Sequence, residues 1–384
     1  MAGQHALLSP SAAHRWMNCP AAPRLEAEAP DKTSTYAEEG TLAHAYCAKK
    51  LKAFFGTPTD AEDREIAELD PLYHTGEMDE YTDTYKTIVL EKYNDALTHT
   101  HDTQLLIETR LDFSEYIPEA FGTSDATIIA DGCMEIIDFK YGKGVKVSAL
   151  NNPQMMIYAL GAYLAHSDEY RIDRVRMTIV QPRIDNLSEF EMSASDLMAW
   201  ADNTLKPAAE AAYDGKAPQN PGEWCQFCRV KCSCRALAAR CTDTALKNSD
   251  PRIINPHEMS ARILPWLPII KAWVSSVEEY TLQQAIEGTE YPGYKIVEGR
   301  SVRKITDTEA VARLLTAEGY HAEEFLKPPT LVGLTDLERL VGKKRLAALC
   351  ADYITKPRGK PTLVPEDDKR PAMNSAADDF KGIE

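Results

Sequence analysis

The 384-residue sequence predicts an α/β fold in which a central mixed β-sheet is flanked by helices and followed by a mainly helical C-terminal extension. Its β-prone runs are largely apolar on both faces, as expected for strands buried in a sheet. They lie at residues 105–111, 126–130, 134–139 and 175–181. Stretches with helix-compatible composition lie around them, at residues 36–54, 153–164, 193–213 and 261–287.

The composition predicts a protein of the cytoplasm that makes no contact with a membrane. Hydrophobic residues make up 44% of the chain, yet no apolar run approaches the ~20 residues needed to cross a bilayer, and no targeting segment is evident. Nine cysteines, an odd number, favour a reducing compartment over a disulfide framework.

The chain divides into three predicted regions. Residues 1–245 hold the candidate site residues and the cysteine cluster discussed below, residues 246–355 form a mainly helical domain of unknown role, and residues 356–384 form a flexible tail. The first boundary is marked by Asn248–Asp250 and by Asn255–Pro256, since such residues favour turns and loops.

A hairpin centred on Asp131–Gly132 brings two carboxylates together. Asp-Gly between two β-prone runs is the strongest short-range hairpin signal, and with these two residues in the turn Asp125 faces Asp138. Like charges that oppose each other are destabilising unless a cation offsets them. Lys140 lies two residues beyond Asp138 and therefore projects from the same face of the strand.

Two predicted helices add further polar groups. Asn152 is suited to cap a helix that begins at Pro153, and Gln154 and Tyr158, four residues apart, then share one helix face. Tyr158 could equally serve only in packing. His44 lies in the stretch 36–54, where a neutral imidazole can ligate Mg²⁺ or Mn²⁺, although a lone helical histidine is more often a surface or packed residue.

Together these residues resemble the PD-(D/E)XK nuclease superfamily, specifically its RecB-like branch, which includes CRISPR-associated exonucleases. The resemblance runs from about the first helix to residue 240 and implies a restriction-endonuclease-like core. The family pattern is a histidine on an early helix, Gly-x-x-Asp, Asp/Glu-x-Lys and Gln-x-x-x-Tyr. The matching residues are His44, Gly122 with Asp125, Asp138 with Lys140, and Gln154 with Tyr158.

The resemblance implies a DNA exonuclease that hydrolyses phosphodiester bonds at single-stranded or duplex ends. The implied catalytic residues are Asp125, Asp138, Lys140, Gln154 and Tyr158. The implied ligands of Mg²⁺ or Mn²⁺ are His44, Asp125 and Asp138, with Glu108, Lys143 and Arg15 as candidates for support. The alternative is a non-catalytic nucleic-acid-binding or interaction module that keeps the nuclease fold.

The cysteines Cys225, Cys228, Cys232 and Cys234 predict a second metal centre. Four thiolates at such short spacing suit either a structural zinc ion or an iron-sulfur cluster. The RecB-like resemblance favours a 4Fe-4S cluster, because its members with a cluster use one early cysteine and a later Cys-x2-Cys-x5-Cys triplet. The implied ligands are Cys19, Cys225, Cys228 and Cys234, and the leftover Cys232 keeps a local four-cysteine zinc site open.

Charge is unevenly distributed over a chain of net charge −16. The acidic stretch 60–83 predicts a solvated surface away from the substrate. Lysines and arginines in 140–146, 171–176 and 229–240 indicate either a basic channel for DNA or ordinary surface bases.

The whole chain also resembles phage and prophage nucleases of an uncharacterised RecB-like family, through Gly299–Ser301 and Lys369–Ala372. That likeness implies work in the bacterial host cell, in phage DNA recombination, repair or replication, with a phage recombination or replication protein as a partner.

Overall fold

A computed structural model describes residues 6–29, 35–246 and 256–294 of the protein. It confirms the predicted α/β class, with a mixed sheet flanked by helices and a helical region after it. The described residues form a five-stranded sheet. Its strands are β1 (Gln104–Asp112), β2 (Phe121–Ile129), β3 (Cys133–Phe139), β4 (Arg174–Gln181) and β5 (Asn186–Ser193).

The strands follow one another across the sheet in chain order. The pairs β1–β2, β2–β3 and β4–β5 are antiparallel, and β3–β4 is parallel. A parallel pair needs a crossover connection, which here contains helix α6 (Pro153–His166). The ends of β3 and β4 and the start of α6 are thereby brought to one end of the sheet.

Helices cover both faces of this sheet. The helices before it are α1 (Ala13–Asn18), α2 (Ala22–Ala27), α3 (Thr35–Phe54), α4 (Asp60–Tyr73) and α5 (Gly76–His99). Those after β5 are α7 (Ala194–Trp200), α8 (Lys206–Asp214), α9 (Arg235–Leu246), α10 (Pro256–Glu258) and α11 (Leu267–Ile286). Among the described residues, no helix is both long and apolar enough to span a membrane.

Two hydrophobic cores lie on opposite faces of the sheet because successive strand residues point in opposite directions. Ile136 belongs to the core shared with α1, α6, α7 and α8, whereas its neighbour Ile137 belongs to the core shared with α3, α4 and α5. The sheet is therefore the middle layer of three.

The predicted hairpin register is confirmed. Ala126 pairs with Ile137, Thr127 with Ile136 and Ile128 with Glu135, so Asp125 and Asp138 occupy opposing positions just beyond the last pair of the ladder. The turn is made possible by Gly132, whose φ of +86° is costly for residues with a Cβ.

The predicted start of α6 is also confirmed. Asn152 Oδ1 accepts the backbone N–H groups of Gln154 at 3.0 Å and of Met155 at 3.4 Å, and Pro153 occupies the first helical position. This cap fixes where the helix begins, and hence which residues of its first turn point at the sheet.

Sequence patterns missed three features. Strand β5 was not predicted, and the helix expected over 193–213 is divided by a π-helical turn at Ala201–Leu205. The long helix expected over 261–287 begins later, at Leu267. The predicted helical domain beyond Tyr294, the predicted tail and the Gly299–Ser301 and Lys369–Ala372 elements lie outside the described residues.

The acidic stretch 60–83 is mostly helical, and lysines of α3 hold it in place. Three ion pairs connect α3 to α4 and α5: Lys49 with Asp63 at 2.7 Å, Lys52 with Glu62 at 2.6 Å, and Lys50 with Asp83 at 2.9 Å. Because these acids are tied to α3, the stretch is only partly the free solvated surface that its composition predicted.

Candidate metal and catalytic site

Asp125 and Asp138 lie where the β2–β3 ladder ends. Oδ2 of Asp125 accepts the backbone N–H of Phe139 at 2.7 Å, which ties the end of β2 to the end of β3. Side chains reach this point from both helical layers, since His44 comes from α3 and Gln154 from α6. The residues predicted from separate parts of the sequence are thus brought to one end of the sheet.

His44, Glu108 and Asp125 form a group that can hold a metal ion. Each offers a ligand atom, and these atoms all lie within 4.8 Å of one another. His44 Nδ1 lies 3.2 Å from Asp125 Oδ1. One imidazole and two carboxylates are ligands suited to Mn²⁺ or Mg²⁺.

Glu108 takes the third position in this group, where the sequence had suggested it only as support. It interrupts β1 with a φ of +48°, which is rare for a residue other than glycine. Ile107 and Thr109 pair with Ala126 and Ser124 on either side, but Glu108 is not paired with Asp125 in the ladder. Such a backbone is sparsely populated and costs on the order of 1–3 kcal/mol, and strain of this kind clusters at functional sites.

Asp138 lies outside the group of three, although the sequence placed it among the metal ligands. Its carboxylate is buried and faces Lys140, whose Nζ lies 3.0 Å from Oδ2, while Gln154 Nε2 donates to Oδ1 at 3.1 Å. Lys140 Nζ also donates to Gln154 Oε1 at 3.2 Å. Lysine, aspartate and glutamine therefore form a closed triangle beside the possible ligands.

Oδ2 of Asp138 is buried and accepts no hydrogen bond of acceptable geometry within the described residues, despite its short ion-pair distance to Lys140. A buried carboxylate oxygen without a hydrogen-bond donor is costly. This oxygen retains the capacity to bind a further group.

The raised pKa values of His44 and Glu108 reflect an excess of negative charge at the site. Burial would lower the pKa of His44, but the charge and hydrogen bond of Asp125 outweigh it and raise that pKa to about 9. Burial and then the nearby Asp125 charge raise the pKa of Glu108 to about 8. Without a cation, the site therefore retains protons near neutral pH that a metal ion would replace.

Asp125, Asp138 and Lys140 titrate in different directions. Burial works to raise the pKa of Asp125, but the charge of His44 holds it below its ordinary value. Burial raises the pKa of Asp138 despite the opposing charge of Lys140. For Lys140, burial works to lower the pKa, and the charges of Asp138 and Asp125 raise it instead. The ammonium is therefore a hydrogen-bond donor in this arrangement.

Part of the acidic helix α4 lies close enough to His44 for their charges to interact, whereas the prediction that the acidic stretch lies away from the substrate stays untested. Burial and then the charge of Glu62 raise the pKa of Glu65, and the charge of His44 opposes them. The ion pair of Lys52 with Glu62 holds α4 against α3, the helix that carries His44.

Tyr158 is buried one turn along α6 from Gln154, and burial together with the Asp138 charge raises its pKa. It packs against Gly122, where an added Cβ would come within 3.1 Å of the tyrosine ring and 3.2 Å of Phe113. The Gly-x-x-Asp spacing therefore has a packing role, since the bare glycine lets α6 approach β2.

The two remaining support candidates lie in different places. Lys143 is exposed in the β3–α6 loop, residues 140–152. Arg15 contributes to the cysteine region instead, where its Nε donates to the buried Glu26 at 2.9 Å.

The predicted split set of cysteines lines a single cavity. Cys19, Cys225, Cys228 and Cys234 all contribute to its wall, together with Arg15 and Trp224, whereas Cys232 does not. Two sulfurs already accept backbone hydrogen bonds at 3.4 Å, Cys19 from Asn220 and Cys225 from Gly222. Burial and then the charge of Glu26 raise the pKa of the Cys228 thiol to about 12.

Glu26 is a residue of this region that motif reasoning did not find. It accepts a hydrogen bond from Arg15 and another from the backbone N–H of Arg229 at 2.7 Å, and so joins α2 to the segment that carries the cysteines. Its only sequence signal is one acid in the short helix after Cys19. Glu108 had a clearer signal, because a single acid interrupts the apolar run of residues 105–107.

Comparisons with known proteins identify a family match and similarity to two solved structures. Residues 5–371 match a family described as "Protein of unknown function (DUF2800)". The chain is similar to the crystal structure of SSO0001, with 13% identity, a TM-score of 0.24, and coverage of 58% of this chain and 96% of that chain. It is also similar to a protein from Eubacterium rectale named "Putative exonuclease", with 8% identity, a TM-score of 0.35, and coverage of 67% and 93%. At such TM-scores neither likeness says what this chain does.

Proposed function

We propose that this chain, which belongs to the DUF2800 family, is a metal-dependent DNA exonuclease of the PD-(D/E)XK type. The observation that carries the proposal is the pairing of a possible ligand group, His44, Glu108 and Asp125, with the triangle of Asp138, Lys140 and Gln154 at the same end of the sheet. A surface hairpin with solvated charges would not bring these partly buried groups together around the buried Asp138.

The ligand group fits a divalent cation. Its donors are oxygen and imidazole nitrogen, and it retains protons in the absence of metal. The buried Oδ2 of Asp138 accepts no well-aligned hydrogen bond from the described residues, although Lys140 Nζ lies 3.0 Å away. A bound Mg²⁺ or Mn²⁺ would supply polarisation of the scissile phosphate and would lower the pKa of a water molecule.

Lys140 contributes a positive charge beside the reacting phosphate. Asp138 and Gln154 hold its ammonium on two sides, so the third proton can point to a phosphate oxygen or to the attacking water. Because the group is fixed before the substrate arrives, little reorganisation is needed when charge develops in the transition state.

Gln154 orients this lysine. Its amide oxygen accepts from Lys140 while its amide nitrogen donates to Asp138, so one side chain sets the positions of both. The capped start of α6 in turn fixes Gln154. Tyr158 supports the same helix by packing on Gly122.

The direct test is hydrolysis of linear DNA by purified protein with Mg²⁺ or Mn²⁺. Wild type is expected to release nucleotides, and Asp125→Asn and Lys140→Ala are expected to lose this activity. The control is Asp214→Asn, which removes an exposed carboxylate elsewhere and is expected to retain it. Equal activity in all four proteins would remove the catalytic assignment. Failure to hydrolyse, together with intact DNA binding, would favour a non-catalytic binding module.

The biological setting is a proposal as well. The motifs resemble those of phage and prophage nucleases, which supports a role in phage DNA recombination, repair or replication. A phage recombination or replication protein would then be its partner.

We further propose that the cysteine cavity holds a 4Fe-4S cluster on Cys19, Cys225, Cys228 and Cys234. Their convergence on one cavity from positions about two hundred residues apart supports this ligand set over a local set that includes Cys232. A group bound there would link α1 to the segment after α8 and so close the domain.

Anaerobic purification, an absorbance spectrum and metal analysis test this second proposal. Iron with broad visible absorption is expected in wild type and Cys232→Ser, and both are expected to vanish in Cys228→Ser. A colourless protein with stoichiometric zinc would overturn the iron-sulfur proposal in favour of a structural zinc site. Loss of metal in Cys232→Ser would assign the local cysteine set.

A further inference from the structure

The β3–α6 loop begins and ends at the candidate catalytic site. It starts with Lys140 and leads into Gln154, and these two side chains hydrogen bond to each other at 3.2 Å. The site therefore closes the base of the loop. Lys143 follows Lys140 by three residues, which places its Cα at most about 11 Å from that of Lys140.

Two buried amides fix the backbone of this loop from inside. Gln181 donates to the carbonyls of Gly142 at 2.7 Å and Val145 at 2.8 Å, and it accepts the N–H of Val147 at 3.2 Å. Asn186 donates to the carbonyl of Val147 at 2.8 Å. Both amides are at least nine-tenths buried, so the loop has a defined shape although it lies on the surface.

The same loop presents two cations and two apolar side chains to solvent. Lys143 and Lys146 are exposed, Val145 is 54% exposed and Leu150 is 61% exposed. The lysines of neighbouring α3 are tied to carboxylates of α4 and α5. In a chain of net charge −16, this fixed loop is a positive surface next to the catalytic residues.

We propose that the β3–α6 loop is a guide for single-stranded DNA, in which Lys143 and Lys146 bind phosphates next to the scissile one and Val145 and Leu150 contact unstacked bases. The proposal rests on the proposed nuclease function and names the form of its substrate.

The apolar side chains are what favours a single strand over a duplex. Lysines bind the phosphates of either form. In a duplex, however, the faces of the bases are stacked on one another, whereas a single strand exposes them to apolar and aromatic contacts. A fixed loop that offers both kinds of contact therefore matches the separated strand.

The test is the binding of a fluorescently labelled single-stranded oligonucleotide and of its matched duplex, without added divalent cation, over a range of salt concentrations. Lys143→Ala/Lys146→Ala is expected to bind the single strand about tenfold more weakly. Its salt slope is expected to fall by about 1.4, or about 0.7 for each lost phosphate contact. Lys216→Ala/Lys271→Ala removes two exposed lysines elsewhere and is the charge-matched control.

Val145→Ser/Leu150→Ser tests the base contacts separately. It is expected to weaken single-strand binding about threefold, with the salt slope and the duplex affinity unchanged, since stacking and apolar contacts do not depend on counterions. All four substituted positions of the loop are exposed, and equal thermal midpoints would show that the variants fold.

The outcomes separate this proposal from the proposed function. If the lysine variant binds as tightly as its charge-matched control, the guide is overturned. If the apolar variant binds the single strand as wild type does, or loses duplex affinity equally, the preference for a single strand is overturned. Loop-dependent binding with no hydrolysis in Mg²⁺ or Mn²⁺ would support the guide while rejecting the nuclease.

Discussion

The two candidate metal centres are built in opposite ways. At the end of the sheet, the polar groups are already held by one another: His44 with Asp125, and Asp138 with Lys140 and Gln154. In the cysteine cavity, four sulfurs from distant parts of the chain line a largely apolar space. The comparison teaches that one centre is prepared by the fold, because its polar groups hold one another without a metal. The cysteines of the other would be linked by the bound group proposed above.

The largest expected effect concerns the prepared centre. Lys140→Ala should lower kcat by about 10²- to 10³-fold, because it removes a fixed charge that acts on the transition state. KM for DNA should change little, and Lys140→Arg should not restore the rate, since a planar guanidinium cannot occupy the same triangle. Single-turnover hydrolysis measures the chemical step. A rise in KM with unchanged kcat would show that Lys140 only binds substrate.

The cysteine cavity should respond in stability rather than in rate. Cys228→Ser should lower the thermal midpoint of the anaerobically purified protein by about 5–10 °C, because a bound group that links distant segments contributes folding free energy. Cys232→Ser is the matched control and should stay within about 1 °C of wild type. Equal midpoints in both variants would mean that the cavity does not close the domain.

A substitution of Glu108 separates the effect on metal affinity from the effect on stability at the end of the sheet. Glu108→Gln should weaken Mn²⁺ binding about tenfold, as expected for the loss of a metal-site carboxylate. It should stabilise the metal-free protein near neutral pH by about 1 kcal/mol. Folding raises the pKa of Glu108 and so forces this carboxyl to take up a proton, a cost that glutamine does not carry. Isothermal titration and urea unfolding measure the two effects, with the exposed Glu115→Gln as control. Destabilisation in the absence of metal would contradict this account.

A further expected effect is a pH dependence of the metal-free protein. The folded protein raises the pKa of His44 from 6.5 to about 9, so it holds this proton more tightly than the unfolded chain does. The resulting stabilisation is fully present below pH 6.5 and is lost as the pH rises toward 9. Unfolding in urea at pH 6.5 and at pH 9 measures this difference, which should shrink in His44→Gln. A profile that is unchanged in the variant would assign the titration to other groups.

The features that could be predicted from the sequence are those set by residues close together in the chain, such as a tight turn or a helix cap. Asp-Gly set the β2–β3 register, and Asn152–Pro153 set the start of α6, so the positions of Asp125, Asp138 and Gln154 followed from neighbours in the chain. The β1–β2 connection, residues 113–120, contains no two-residue turn that fixes a register. Hence the place of Glu108 opposite Asp125 could not be derived.

Long-range pairing limits prediction in the same way elsewhere. Strand β5 is an edge strand with alternating burial, and its apolar signal is weak. Glu26 meets Arg229 only through the folded chain, and α4 approaches His44 through a lysine of α3. The roles of the site residues, including the ligand role of Asp138, remain predictions.

Gly122 makes the packing of α6 on the sheet sensitive to a single methyl group. The Cβ of an alanine there would come too close to the rings of Tyr158 and Phe113 and to Pro10. We expect α6 to move slightly away from the sheet to relieve this contact. Gln154 sits one turn earlier on that helix, so the shift would loosen its hold on Lys140 and Asp138. Gly122→Ala adds no charge and makes no contact with substrate, yet it would then lower the proposed nuclease activity. Gly122 is therefore a position at which directed evolution could adjust that activity.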